Sequence, residues 1–89
     1  MATVQLFATY RSAAGTKGFD TAELSVAGLL DEISRRYPVL YDELCDTDGS
    51  LRPLVKMLVN GRHIQFLDGV NTPLADEDVV SIFPPIAGG

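Results

Sequence analysis

The sequence predicts an α+β domain: one mixed sheet of about five short strands with one main helix packed on one of its faces. Three observations predict it. Strand-like runs alternate apolar and polar residues at period two near both ends of the chain. A single long stretch, SVAGLLDEISRRY, switches to the helical period. Asn60-Gly61 sits between two β-rich runs, the pair that best tolerates the two positive φ values of a type I′ hairpin turn. At 89 residues the chain fits one domain, burying about 60–65% of its unfolded surface.

The elements follow in order. TVQLFATY, residues 3–10, reads as a strand with Val4, Leu6 and Ala8 on one face and Gln5, Phe7 and Thr9 on the other. RSAAG is a short helical turn in which Gly15 is free to take a positive φ. KGFDTAEL, residues 17–24, forms a second strand antiparallel to the first. In the helix, Val26, Leu29, Leu30, Ile33 and Tyr37 make one apolar stripe, with Ser25 as N-cap and Arg35 and Arg36 suited to the C-terminal end. Gly28 in the first turn points to close approach of helix and sheet. Pro38 ends the helix, VLYDEL makes another short turn, and DTDGS is a loop.

Residues 55–59 and 62–66 are expected as the hairpin around Asn60-Gly61. LDGVNTPLADED is turn-rich, and Pro73 excludes a central strand there. VVSIF is the last strand, closed by Pro84. Residues 1–83 are thus the domain and residues 84–89 an extended tail ending in Gly-Gly. Placing the more aliphatic sets inward puts Val55, Met57, Val59, Val80 and Ile82 in the core. It leaves Phe7, Leu58 and Phe83 on the open face as a candidate partner-binding patch.

Composition narrows the function. Seven Lys plus Arg against twelve Asp plus Glu give a formal charge of −5. No basic stripe is available for phosphate contacts, so no nucleic acid partner is expected, and the acidic surface favours a partner with a basic face. The opening MATVQLFATYRS has no basic segment followed by a long apolar run. The expectation is a cytoplasmic protein with no membrane association. Cys45 and His63 are each the only residue of their kind, leaving no disulfide, zinc cluster or catalytic dyad to draw. Cys45 reads as a partly buried small hydrophobe. Asp46, Asp48 and Gly49 lack the remaining ligand positions of a calcium loop, and residues 76–78 read as a solvated turn. No metal site, bound cofactor or autonomous catalytic site is expected.

The tail remains, with two readings: a fraying end, or a terminal carboxylate that is itself the working group. Pro84 and Pro85 hold the chain extended. Ile86 and Ala87 suit small pockets, and Gly88 and Gly89 are thin enough for a narrow channel. Ordering these residues costs on the order of 6–12 kcal/mol, less what the prolines have already restricted. Such a tail needs a docking patch to anchor it. Ionised at neutral pH, the Gly89 carboxylate is a poor electrophile, so chemistry at it requires activation by another enzyme.

The segments VQLFATYRSAAG, SVAGLLDEI, LVNG and TPLADEDVVSIFPPIAGG together resemble the MoaD/ThiS-type sulfur carriers among the ubiquitin-like β-grasp proteins. The resemblance is closest to molybdopterin synthase small subunits, and archaeal small modifier proteins are also similar. Glu77 departs from the pattern, since many relatives place glycine between the two acidic residues. The resemblance implies that Gly89 is adenylated by a ubiquitin-activating-type enzyme, which uses the ATP and magnesium, and is then converted to a thiocarboxylate by a sulfur donor. It further implies sulfur delivery for molybdenum or tungsten cofactor synthesis, with the molybdopterin synthase large subunit as partner. Phe7, His63 and Phe83 fall at the family's docking positions, His63 replacing a more usual aliphatic residue. Two alternatives stay open: a modifier conjugated to lysines through Gly89, and a non-covalent binding module with an inert tail.

Overall fold

A computed structural model describes residues 1–85. Five strands form one sheet in the order β2-β1-β5-β3-β4: β1 (Ala2–Leu6), β2 (Gly18–Thr21), β3 (Lys56–Val59), β4 (Arg62–His63) and β5 (Val79–Phe83). The chain's last strand is therefore its central one. β5 pairs parallel with β1 and antiparallel with β3, while β2 and β4 make antiparallel edges. This is the mixed sheet of a β-grasp fold.

The main helix, α2 (Val26–Arg36), starts where the sequence places it. The Ser25 hydroxyl accepts from the Gly28 N–H at 3.0 Å, filling one of the donors that a helix start leaves open. Val26, Leu29, Leu30 and Ile33 are buried against Val4, Leu6, Met57, Val80 and Ile82 in one core. Tyr37 is half-buried, and its ring packs 4.9 Å from Phe19 on β2. Gly28 has a different reason from the one expected. A Cβ there would meet the Glu23 carboxylate at 2.6 Å and the capping Ser25 hydroxyl at 3.4 Å, so the close neighbour is the entry loop rather than the sheet.

Helix content exceeds the single main helix of the sequence reading. Pro38 does end α2, but at once it opens α3 (Pro38–Leu44), where a missing N–H at the first position costs nothing. Leu40 and Leu44 are buried from that helix. The first strand also stops early. β1 ends at Leu6 rather than at residue 10, because Ala8 takes φ 53° and ψ −131° and turns the chain out of the ladder. Thr9–Ala14 then forms α1, which buries Tyr10, packs on α3, and ends at Gly15 with φ 75°. β2 likewise covers only the middle of residues 17–24.

The hairpin turn has the expected geometry, with φ 51° at Asn60 and 85° at Gly61. Its second strand is shorter than residues 62–66, however. After His63 the chain tightens into a 3₁₀ turn, Ile64–Phe66, capped by the His63 Nδ1 accepting from the Gln65 N–H at 3.1 Å. That turn buries Ile64. Asn60 also ties the hairpin to β5: its amide oxygen accepts from the Val79 N–H at 2.9 Å, and its amide nitrogen donates to Asp78 at 2.9 Å.

The acidic turn before β5 carries strain that the sequence hints at. Glu77 has φ 70°, a conformation that side chains other than glycine adopt at a cost of about 1–2 kcal/mol. Glycine would relieve that cost and give back part of it as extra freedom in the unfolded chain. Glu77→Gly is expected to stabilise the fold by about 0.5–1 kcal/mol and raise the thermal midpoint by about 2–8 °C in a calorimetric scan. No helix among the described residues is long and apolar enough to cross a membrane.

Candidate functional site

The site is built by the central position of β5. β1 and β5 run parallel in register from Thr3↔Val79 to Leu6↔Ile82, so both end at one edge of the sheet. β3 begins at that same edge, with Lys56 opposite Phe83. One step past the last β1 pair stands Phe7, whose N–H donates to the Ile82 carbonyl at 3.2 Å. The Phe7 and Phe83 rings stack there, centroids 4.2 Å apart and planes 13° from parallel.

Period two sorts the two faces. Val80 and Ile82 are fully buried under the helices, whereas Val79, Ser81 and Phe83 are half-buried on the open face. Phe7, Leu58 and Phe83 therefore meet on the open face, and they line one groove with Ala8, Thr9, Lys56, Pro84 and Pro85. The patch is less exposed than three separate outward residues would be. Each member is only half-exposed because the aromatic pair covers itself. The two prolines border a second, more polar groove beside Glu43, Asp46 and Arg52. The chain thus leaves β5 along a ridge between an apolar and a polar depression.

His63 is paired directly with Leu58 across β3 and β4, which puts it on the same face. It does not line the groove; its ring turns to the edge of Phe66, 6.4 Å away. The remaining tail residues singled out by sequence, Ile86, Ala87, Gly88 and Gly89, lie outside the described residues.

One charged neighbour of Phe7 had no signal in the sequence. Arg11, on α1, places its guanidinium carbon 5.4 Å from the centroid of the Phe7 ring, and its Nε donates to the Leu6 carbonyl at 2.8 Å. Only the reversal at Ala8 brings α1 back over Phe7, and an alanine in that conformation leaves no mark in a propensity pattern. Lys56 was legible as an outward residue by its parity with Leu58.

Elsewhere the reactive residue types are held in structural roles. Cys45 is buried, and burial pushes its thiol up against the smaller opposing pull of Tyr41 and Arg52, so little thiolate forms at neutral pH. The Ser50 hydroxyl and N–H hold the Asp48 carboxylate below its ordinary range. The Ala75 N–H and the Asn60 amide do the same for Asp78. Among the described residues no cluster of three or more His, Cys, Asp or Glu could hold a metal ion.

Comparison with known proteins bears on the whole length. The profile of the ThiS family matches residues 4–89. Small archaeal modifier protein 3 of Haloferax volcanii is 38% identical over 89 residues, covering 97% of this chain and 96% of that protein. The sulfur carrier protein CysO of Mycobacterium tuberculosis is 29% identical over 77 residues, 84% of this chain and 83% of CysO. Among solved structures, small archaeal modifier protein 1 of Methanosarcina acetivorans superposes with a TM-score of 0.86 at 33% identity, covering 99% of this chain and 95% of its own.

Proposed function

This chain belongs to the ThiS family of ubiquitin-like sulfur carriers and modifiers, and on that premise we propose that its working group is the Gly89 carboxylate. Pro84 and Pro85, at the edge of the apolar groove, begin the segment that carries this group. The observation that carries the reading is the extent of the family match, which runs through residue 89 and so includes the Gly-Gly end.

Since an ionised carboxylate resists nucleophiles, a separate adenylating enzyme activates it. A Gly89 oxygen attacks the α-phosphorus of ATP, pyrophosphate leaves, and the acyl adenylate now has a good leaving group. ATP and magnesium are held by that enzyme. Phe7, Leu58 and Phe83 dock it, with His63 at the margin of the contact. A lysine amine attacking the Gly89 carbonyl then expels AMP and leaves an isopeptide bond. Attack by a donor that delivers sulfide-level sulfur (HS⁻) instead expels AMP and leaves a thiocarboxylate.

Protein modification is the favoured use, supported by the two relatives named as modifiers at 38% and 33% identity. Sulfur transfer is the second reading, supported by the likeness to CysO. Delivery to molybdopterin through the synthase large subunit is a finer form of that second reading, supported by the sequence resemblance and by the likeness, at 30% identity and a TM-score of 0.69, to a protein of Pyrococcus furiosus named as a putative molybdopterin converting factor, subunit 1. The test is to supply the chain with ATP and the adenylating enzyme of its own genome, then record intact mass and lysine adducts. Target lysines joined to the chain's C-terminal tryptic peptide, residues 63–89, are expected, since no Lys or Arg follows Arg62. A terminal oxygen-to-sulfur exchange without adducts would favour the carrier reading, and an unaltered Gly89 in every condition would overturn both.

A further inference from the structure

We infer that the groove at Phe7 and Phe83 accepts a segment of a partner protein in which an apolar side chain is set among carboxylates. The inference rests on the reading of that groove as a docking surface and names the chemistry of what docks there. It runs against the net charge of −5, which favours a basic partner. The reason is that charge is unevenly distributed over the fold.

On the helix side three arginines are neutralised. Arg35 pairs with Asp31 at 3.1 Å and Arg36 with Glu32 at 2.6 Å, while Arg52 stands 3.6 Å from Asp46. At the groove the pattern reverses. Lys56 lines it and Arg11 lies over the Phe7 ring, and among the described residues neither has a carboxylate within 4.0 Å. No Asp or Glu lines this groove. Asp20 is the acidic group on the open face, and it bonds Thr3 at the far end of β1. Glu43 and Asp46 lie across the proline ridge in the other groove, where Arg52 already faces Asp46.

Two cations without an ion pair among the described residues, set beside an aromatic pair, define a complementary shape. An apolar side chain seated against Phe7, Leu58 and Phe83 excludes water from the neighbourhood of Lys56 and Arg11, and any carboxylate brought beside them is attracted more strongly as a result. Arg11 is well placed for this: its Nε is held by the Leu6 carbonyl, so the fork is oriented while its Nη atoms remain able to donate. Two cations are too few for a nucleic acid track. A basic partner segment would meet repulsion here despite the acidic whole.

The test uses the full chain, isotope-labelled, titrated by NMR with two synthetic peptides sharing one apolar core, Ac-EDLFED-amide and Ac-KRLFKR-amide. The acidic peptide is expected to bind at least about 5-fold tighter at low salt, with shifts centred on Phe7, Leu58, Phe83 and Lys56. The preference should shrink to about 2-fold or less at high salt. Lys56→Gln should weaken it and Lys56→Glu should reverse it, whereas Arg35→Glu, on α2 and away from the groove, should leave the order unchanged. Equal or tighter binding of the basic peptide, or no groove shifts with either peptide up to about 10 mM, overturns the inference. The two readings fail separately. A chain that prefers the acidic peptide but is never adenylated contradicts the proposed function alone, and one that is adenylated but indifferent to peptide charge contradicts this inference alone.

Discussion

Removal of Gly89 is expected to abolish covalent transfer to any acceptor while leaving the fold intact. The described core ends at Ile82, and the buried residues all lie before the prolines. A change at the last residue is therefore expected to leave this core in place, and the thermal midpoint should stay within about 3 °C of the parent. The chemistry has no such tolerance. Without Gly89 the carboxylate falls on Gly88, roughly 3.3–3.6 Å short of where the full arm would deliver it. A displacement of even about 1 Å costs about 100-fold in a positioned reaction. The measurement is adenylate formation and adduct yield, each with a melting curve. Full activity after the deletion would show that the end of the chain is inert and would leave a non-covalent binding module as the reading.

The second large effect sets two neighbouring residues against each other. Ile82 is fully buried, and Ile82→Ala should cost about 2–5 kcal/mol. Against a total stability of roughly 5–13 kcal/mol for a chain of this length, that lowers the midpoint by more than about 10 °C. Phe83 stands next to it on the opposite face, half-buried and stacked on Phe7. Phe83→Ala loses the aromatic pair and part of its burial, about 1–2 kcal/mol. Its main consequence is at the groove, where affinity for the adenylating enzyme should fall about 10-fold or more, as for an aromatic anchor at an interface. Thermal melts and the KM for the chain separate the outcomes. If Phe83→Ala destabilises as much as Ile82→Ala and leaves KM unchanged, the open face is structural and docking occurs elsewhere.

Both predictions depend on how much of the molecule is local. The stripe of α2, its Ser25 cap, the Asn60-Gly61 turn and the face parity of β3 and β5 were legible because each depends on neighbours a few residues away. The truncations were not. β4 stops at His63 because its imidazole caps the next turn, and β1 stops at Leu6 because Ala8 turns left-handed. Neither residue type signals a strand end. Glu77 was a partial success: its departure from the glycine of its relatives marked the turn, and the structure shows a strained positive φ as the physical content of that departure.

The sequence by itself determined which sides of β1, β3 and β5 are apolar, where the main helix begins, and that Gly88-Gly89 stands a few residues beyond Pro84-Pro85. These follow from period, capping chemistry and covalent order, which need no distant partner. Only the tertiary structure decided that the last strand inserts between the first and third, setting Phe83 against Phe7, starting the tail beside Lys56 and bringing Arg11 over the Phe7 ring. Strand neighbours more than seventy residues apart are chosen by the competition of whole sheet arrangements for one core, and no local pattern records the winner.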